Sequence, residues 1–157
     1  PDIPIGVVRG PAFEKKSRYA EGIAKEFPHD LQSAEDAPNA ALLYRKVLAE
    51  QPDGTAVMVS VGQLANFANL LETEPDESSN LDGEALVRRK VKTWVCMGGR
   101  FPEGREANLI HDGAAAARAI RNWPTPIVFS GWEIGKEIMT GAELKRVPET
   151  SPVRRAF

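Results

Sequence analysis

The sequence predicts an α/β protein: a mostly parallel sheet with helices on both faces. Three apolar runs carry this reading. Residues 55–61 (TAVMVSV), 91–97 (VKTWVCM) and 126–130 (PIVFS) have the length and β-branched content of strands. Stretches with apolar residues at helical spacing separate them, as βαβ crossovers require. A continuous apolar run such as 55–61 suits a strand covered on both sides. Residues 1–157 therefore read as one α/β domain.

In chain order, residues 3–8 are a short β-branched stretch ending at Arg9-Gly10-Pro11, a strand followed by a loop. Residues 17–27 suit a short helix, weakened by Gly22, and residues 28–36 are polar and irregular. Asp36 is placed to cap a helix with Pro38 in its first turn, and Ala41, Leu42, Tyr44, Val47 and Leu48 share one face of it. Pro52-Asp53-Gly54 is a turn before the first long strand. Leu64, Phe67, Ala68 and Leu71 form the next helical stripe. Residues 75–82 (PDESSNLD) have loop composition, and residues 83–91 a helix that is basic on one side. Asp112 caps a helix over 114–120, ended by Asn122-Trp-Pro124, and Gly131 leads into a short helix through Ile138. Ser151 and Pro152 look like a helix start that stops after a turn and a half. That abrupt stop, and Pro1 in place of Met, give both ends a cut appearance.

With 42% hydrophobic and 27% charged residues the composition is that of a globular domain. A formal net charge of −2 gives no electrostatic reason to expect nucleic acid or an anionic membrane as partner. No apolar run approaches the length of a membrane span and no secretory leader is visible, so cytoplasmic and exported locations both fit a soluble chain. The single cysteine, Cys96, lies in an apolar run and reads as a buried thiol. His29 and His111 lack the spacing of a metal pair, and no CxxC, GxGxxG or GxSxG motif occurs.

Each of the three strands ends in glycine: Gly62, Gly98 with Gly99, and Gly131. Ligands of open parallel sheets bind outside the carboxyl ends of the strands, where glycine lets backbone and ligand approach. A shared cleft follows. The loop after the second end carries Glu106 and Asn108. If residues 105–109 are extended, those two side chains point the same way. A carboxylate that accepts and an amide that both donates and accepts suit a polyol such as a sugar ring. A solvated loop with an Arg105–Glu106 pairing is the alternative.

The order Val59-Ser-Val-Gly-Gln-Leu-Ala-Asn-Phe-Ala-Asn-Leu70, Val95-Cys-Met-Gly-Gly99, Glu106-Ala-Asn108 and Asp112-Gly-Ala-Ala-Ala116 resembles the inosine–uridine-preferring nucleoside hydrolase family. In that family a strand ends in a Gly-Leu-Thr-Asn-like turn, and a later one ends in Met-Gly-Gly before a Glu-Phe-Asn triplet and an Asp-Pro-Glu-Ala-Ala helix start. Here Ala65 replaces the threonine, Ala107 the aromatic residue and Gly113 the proline.

The resemblance implies a Rossmann-like open sheet and an N-ribohydrolase of purine and pyrimidine salvage, in which water cleaves a ribonucleoside to ribose and base. It implies Ca2+ as cofactor, with the backbone carbonyl of Val61 among its ligands, and a calcium-activated water. It implies that Glu106 and Asn108 hold ribose hydroxyls and that Met97 lines the same cavity. The partner would be a small nucleoside, and a homo-oligomer is compatible with it. Nothing here matches the family's aspartate cluster, Asp-x-Asp-x-x-x-Asp-Asp, so no catalytic residue is assigned and the general base is expected outside this chain. The chain then reads as the middle of a larger nucleoside hydrolase-like domain, inactive alone. A non-catalytic ribose- or nucleoside-binding domain without the metal cluster, and a structural α/β module, are the other readings.

Overall fold

The computed structural model describes residues 3–10 and 17–156. Strands β1 (Ala56–Ser60), β2 (Val91–Met97) and β3 (Ile127–Ser130) form a parallel sheet in the order β1-β2-β3. Met58 pairs with Trp94 and Trp94 with Ile127; Ser60 pairs with Cys96 and Cys96 with Phe129. Because partners in register share a face, these residues form one side of the sheet. Helices α2 (Ala40–Ala49), α3 (Ala65–Leu71), α4 (Gly83–Lys90) and α6 (Gly113–Asn122) supply the apolar side chains that cover it.

Phe67 sits at the centre of this layer. Its ring lies 5.7 Å from Tyr44, 5.0 Å from Trp94 and 5.4 Å from Trp123. Leu64, Leu70, Leu86, Val87, Trp94 and Cys96 are among the fully buried side chains, each large apolar one worth about 1.5–3 kcal/mol on burial. Cys96 is thus the buried thiol its sequence context predicts.

The parallel α/β architecture agrees with the sequence, but the described helices cover one face of the sheet, not two. Val57, Val59 and Val128 on the opposite face are 53%, 60% and 54% exposed. The strand order explains this. β1 to β2 and β2 to β3 step in the same direction, and right-handed crossovers in one direction place every connecting helix on the same side. A second helical layer requires the order to reverse, and within β1–β3 it does not.

Two local expectations change as well. Residues 3–8 make a single bridge, Val7 with Asn39, instead of a sheet strand, and Ile3 and Ile5 are exposed. Val7 donates to Pro38 O and accepts from Ala40 N, both at 2.9 Å, so the segment is laid across the start of α2. Asn39, not Asp36, caps α2, with its side chain accepting from Ala41 N. Asp36 closes its own 3-10 turn by accepting from the amides of Gln32 and Ser33, which hold its carboxyl below the usual range.

Arg45 of α2 is fully buried although charged. It pairs with Asp76 at 2.9 Å and donates to Thr73 Oγ1 and to the carbonyls of Ser79 and Leu81. One guanidinium therefore pins the 75–82 loop. Helices α1 (Ala20–Glu26) and α8 (Pro152–Ala156), far apart in sequence, are joined by a two-pronged Arg155–Glu26 pair.

Candidate functional site

The carboxyl ends of the three strands lie side by side, as the parallel order dictates. Pairing between β2 and β3 continues past the strands: Gly98 N donates to Ser130 O at 3.2 Å, and Trp132 N to Gly99 O at 2.9 Å. Gly99 turns the chain with φ of +83°, a conformation that strains any side-chain-bearing residue. Residue Gly99 is therefore held from both sides, its carbonyl by the start of α7 (Trp132–Gly135) and its N–H by Glu106.

Glu106 is 6% exposed. It is the N-cap of α5 (Ala107–Ile110), and its carboxylate accepts from Asn108 N at 2.8 Å, Leu109 N at 3.3 Å and Gly99 N at 3.2 Å. Residues 105–109 are thus not extended. A carboxylate at an N-cap satisfies amides that a helix start leaves unpaired, and this favours the turn of helix. Glu106 also makes no surface pairing with Arg105: its carboxylate faces the turn after β2.

Asn108 still meets Glu106 at that strand end, though by another route than alternation. Its amide nitrogen donates to Met97 O and to Met97 Sδ, both at 3.1 Å. Its Oδ1 accepts no hydrogen bond among the described residues. The carboxylate of Glu106, with three of roughly four lone-pair sites used, retains one. Glu106, Asn108 and Met97 are thus brought together. Val61 lies at the neighbouring end, one residue past β1 and 77% exposed.

Beneath this cup the polar groups are satisfied. Trp94 Nε1 donates to Ser60 Oγ at 2.9 Å. Burial pushes the Cys96 thiol above its ordinary range, the Glu106 charge pushes the same way, and a hydrogen bond with Ser60 opposes them. A thiol held protonated is no nucleophile. Asp112 caps α6 by accepting from Ala115 N at 3.1 Å, the structural role its position in the sequence suggests.

The rim is a compact loop, residues 100–105, whose shortness is legible in the sequence and whose contacts are not. Phe101 N donates to the Glu133 carboxylate at 3.1 Å, and its ring packs 6.1 Å from Phe129. Arg100 lies over the Trp132 indole, 5.0 Å from its centroid, with Lys136 at 5.3 Å. An aromatic residue directly after a strand-end glycine was the available signal for Trp132.

Calcium needs six to eight oxygen ligands. Among the described residues no three His, Cys, Asp or Glu side chains come together to hold a metal, and the Val61 carbonyl would supply one oxygen. The residues present do not build that site. No helix among them is long and apolar enough to cross a membrane.

Polar side chains gathered at the carboxyl edge of a parallel sheet define the class: an α/β protein of the kind that binds its ligands outside the strand ends. The family of inosine-uridine preferring nucleoside hydrolases matches residues 3–156, and the chain belongs to it. The family's function is of the nucleoside hydrolase type, a glycosidase activity on small nucleoside substrates. No curated protein and no solved structure matches the chain.

Proposed function

We propose that the strand-end cup holds the ribose of a ribonucleoside whose N-glycosidic bond is hydrolysed, and that this chain contributes the sugar grip and not the hydrolytic carboxylates. One observation carries the reading. Glu106 and Asn108 are fixed by backbone partners, yet leave a carboxylate lone pair and the amide Oδ1 unspent at the end of β2. Acceptors pre-set this way receive sugar hydroxyls without reorganising. Met97, whose sulfur meets the Asn108 amide, forms the wall beside them.

The calcium-activated water that the family resemblance implies would need carboxylates beyond the described residues, with the Val61 carbonyl as this chain's one contribution. No general base is assigned here. The chain alone therefore binds and does not turn over, while a complete site that includes the carboxylates would release ribose from inosine or uridine in a calcium-dependent way. A ribose-release assay over a nucleoside panel, with and without Ca2+ and a chelator, tests this on both. Chelator-insensitive turnover would remove the metal from the mechanism, and turnover by this chain would overturn the division of labour.

A further inference from the structure

The last residue of β1 is polar and buried. Ser60 is 6% exposed and lies on the helix-covered side of the sheet, where its Oγ accepts from Trp94 Nε1 at 2.9 Å. An indole N–H can only donate, so a buried tryptophan needs an acceptor there. Trp94 is itself anchored: it is fully buried, with its ring 5.0 Å from Phe67 and 4.8 Å from Trp123. One hydrogen bond therefore keys the end of β1 to the aromatic core. Having accepted that bond, Ser60 keeps its hydroxyl proton for a second partner. That partner is the sulfur of Cys96, its register neighbour on β2.

From Cys96 the contacts run on to Glu106. Gly98 packs so closely on the sulfur that a Cβ there would lie 3.2 Å from Cys96 Sγ and 3.1 Å from Leu109 Cδ2. Leu109 N in turn donates to the Glu106 carboxylate at 3.3 Å, and Gly99, next in the chain, gives its N–H to the same carboxylate. On its own strand Ser60 is followed directly by Val61. A displacement of Ser60 would thus be felt at the ends of both β1 and β2. Glu106 and Asn108 are fixed by backbone bonds, and Ser60 fixes the strand ends to which those bonds are made. Supporting groups of this kind hold a binding constellation to within about 0.5 Å.

We propose that Ser60 is a positioning residue: through Trp94 on one side and Cys96 on the other it sets the end of β1 against Gly98, Gly99 and the Glu106 carboxylate, and so sets the geometry in which sugar hydroxyls are received. This rests on the reading of the cup as a ribose grip. The test is an NMR titration of the chain with ribose, together with amide hydrogen exchange, on the parent, Ser60→Ala, Cys96→Ala and Val87→Ala. Val87 is fully buried in α4, which leads into the amino end of β2, so that variant loses stability away from the site. Ser60→Ala should weaken ribose binding by up to about ten-fold, the worth of one hydrogen bond, and should quicken exchange of the Gly99 amide relative to the β1 amides. Cys96→Ala should do both to a smaller degree, since the Trp94–Ser60 bond survives in it. Val87→Ala should keep the parental ribose affinity and the parental ratio of exchange rates. Ribose affinity or relative Gly99 exchange that matches the parent in Ser60→Ala, or equal losses in Val87→Ala, would overturn the proposal. If Ser60→Ala does not fold, Cys96→Ala decides by the same readings. A parent that binds no ribose, with Gly99 exchange still quickened in Ser60→Ala and not in Val87→Ala, would put the fault with the ribose grip and not with Ser60.

Discussion

Two loops of this protein are each organised by one buried charge, and they differ in what is left over. The 75–82 loop lies beside Ala49 and Lys90, residues that precede β1 and β2, so it sits at the amino ends of the strands. There Arg45 spends its donors on Asp76, Thr73, Ser79 and Leu81. At the carboxyl ends, Glu106 ties Gly99 to the start of α5, but the cup it forms keeps acceptors unspent. A buried charge whose bonds are all internal is architecture. One that organises a loop and leaves a neighbouring acceptor, Asn108 Oδ1, without a partner among the described residues is a candidate for a site, at the edge where parallel sheets bind ligands.

The largest expected effect breaks the architectural loop. Arg45→Met strands Asp76 and the carbonyls of Ser79 and Leu81, and removing one partner of a buried ion pair costs about 3–5 kcal/mol. Urea unfolding should show that loss as a lower midpoint. A variant as stable as the parent would mean the loop is pinned by something else.

Next comes Glu106→Ala, which leaves the amides of Gly99, Asn108 and Leu109 without an acceptor and should cost about 1–3 kcal/mol. The loss should be local: hydrogen exchange should quicken across 98–110 and remain slow in α2 and β1. Uniform loosening of the whole chain would show that Glu106 is as architectural as Arg45.

A smaller effect is a pH dependence confined to the first loop. The hydrogen bond from Arg45 holds the Asp76 carboxyl below its ordinary value, with backbone amides of Ser79 and Ser78 acting the same way and desolvation opposing. The folded state then binds the Asp76 proton less readily than the unfolded state. Its contribution is full above the ordinary carboxylate range near pH 4, and is lost as pH falls through the lowered folded value. Asp76→Asn should flatten that acid limb of stability against pH. An unchanged limb would assign it to other acids, such as Asp53, which Lys90 and Arg89 hold low.

Much of the fold was legible in the sequence. The run at 91–97 has the bounds of β2, and Asp112 caps α6 as its place before the alanine stripe predicts. These features depend on neighbours in sequence. What escaped depends on distant partners. Arg45 falls on the buried stripe of α2 with Ala41 and Leu48, yet an arginine there looks like an exposed interruption until Asp76, thirty-one residues on, supplies its counter-charge. Leu42 and Val47, assigned to the buried face, are 50% and 39% exposed. The open sheet face was hidden by the apolar run at 55–61, which reads alike whether one side is covered or two.

The candidate site was legible in its residue types and illegible in its backbone. Glu106 and Asn108 were singled out as if on a strand, and they converge because one caps a helix whose second residue is the other. Spacing of two fits both geometries, and choosing between them needed the Gly99 amide, seven residues back, as the third partner.

The most direct test of the ribose grip is an NMR titration of the chain with ribose, following the amide signals of Gly98, Gly99 and Leu109 and the side-chain amide of Asn108. Saturable shifts in those signals, absent in Asn108→Ala and unchanged in Arg45→Lys, are the predicted result. Shifts scattered over the surface, or an identical response in Asn108→Ala, would contradict it.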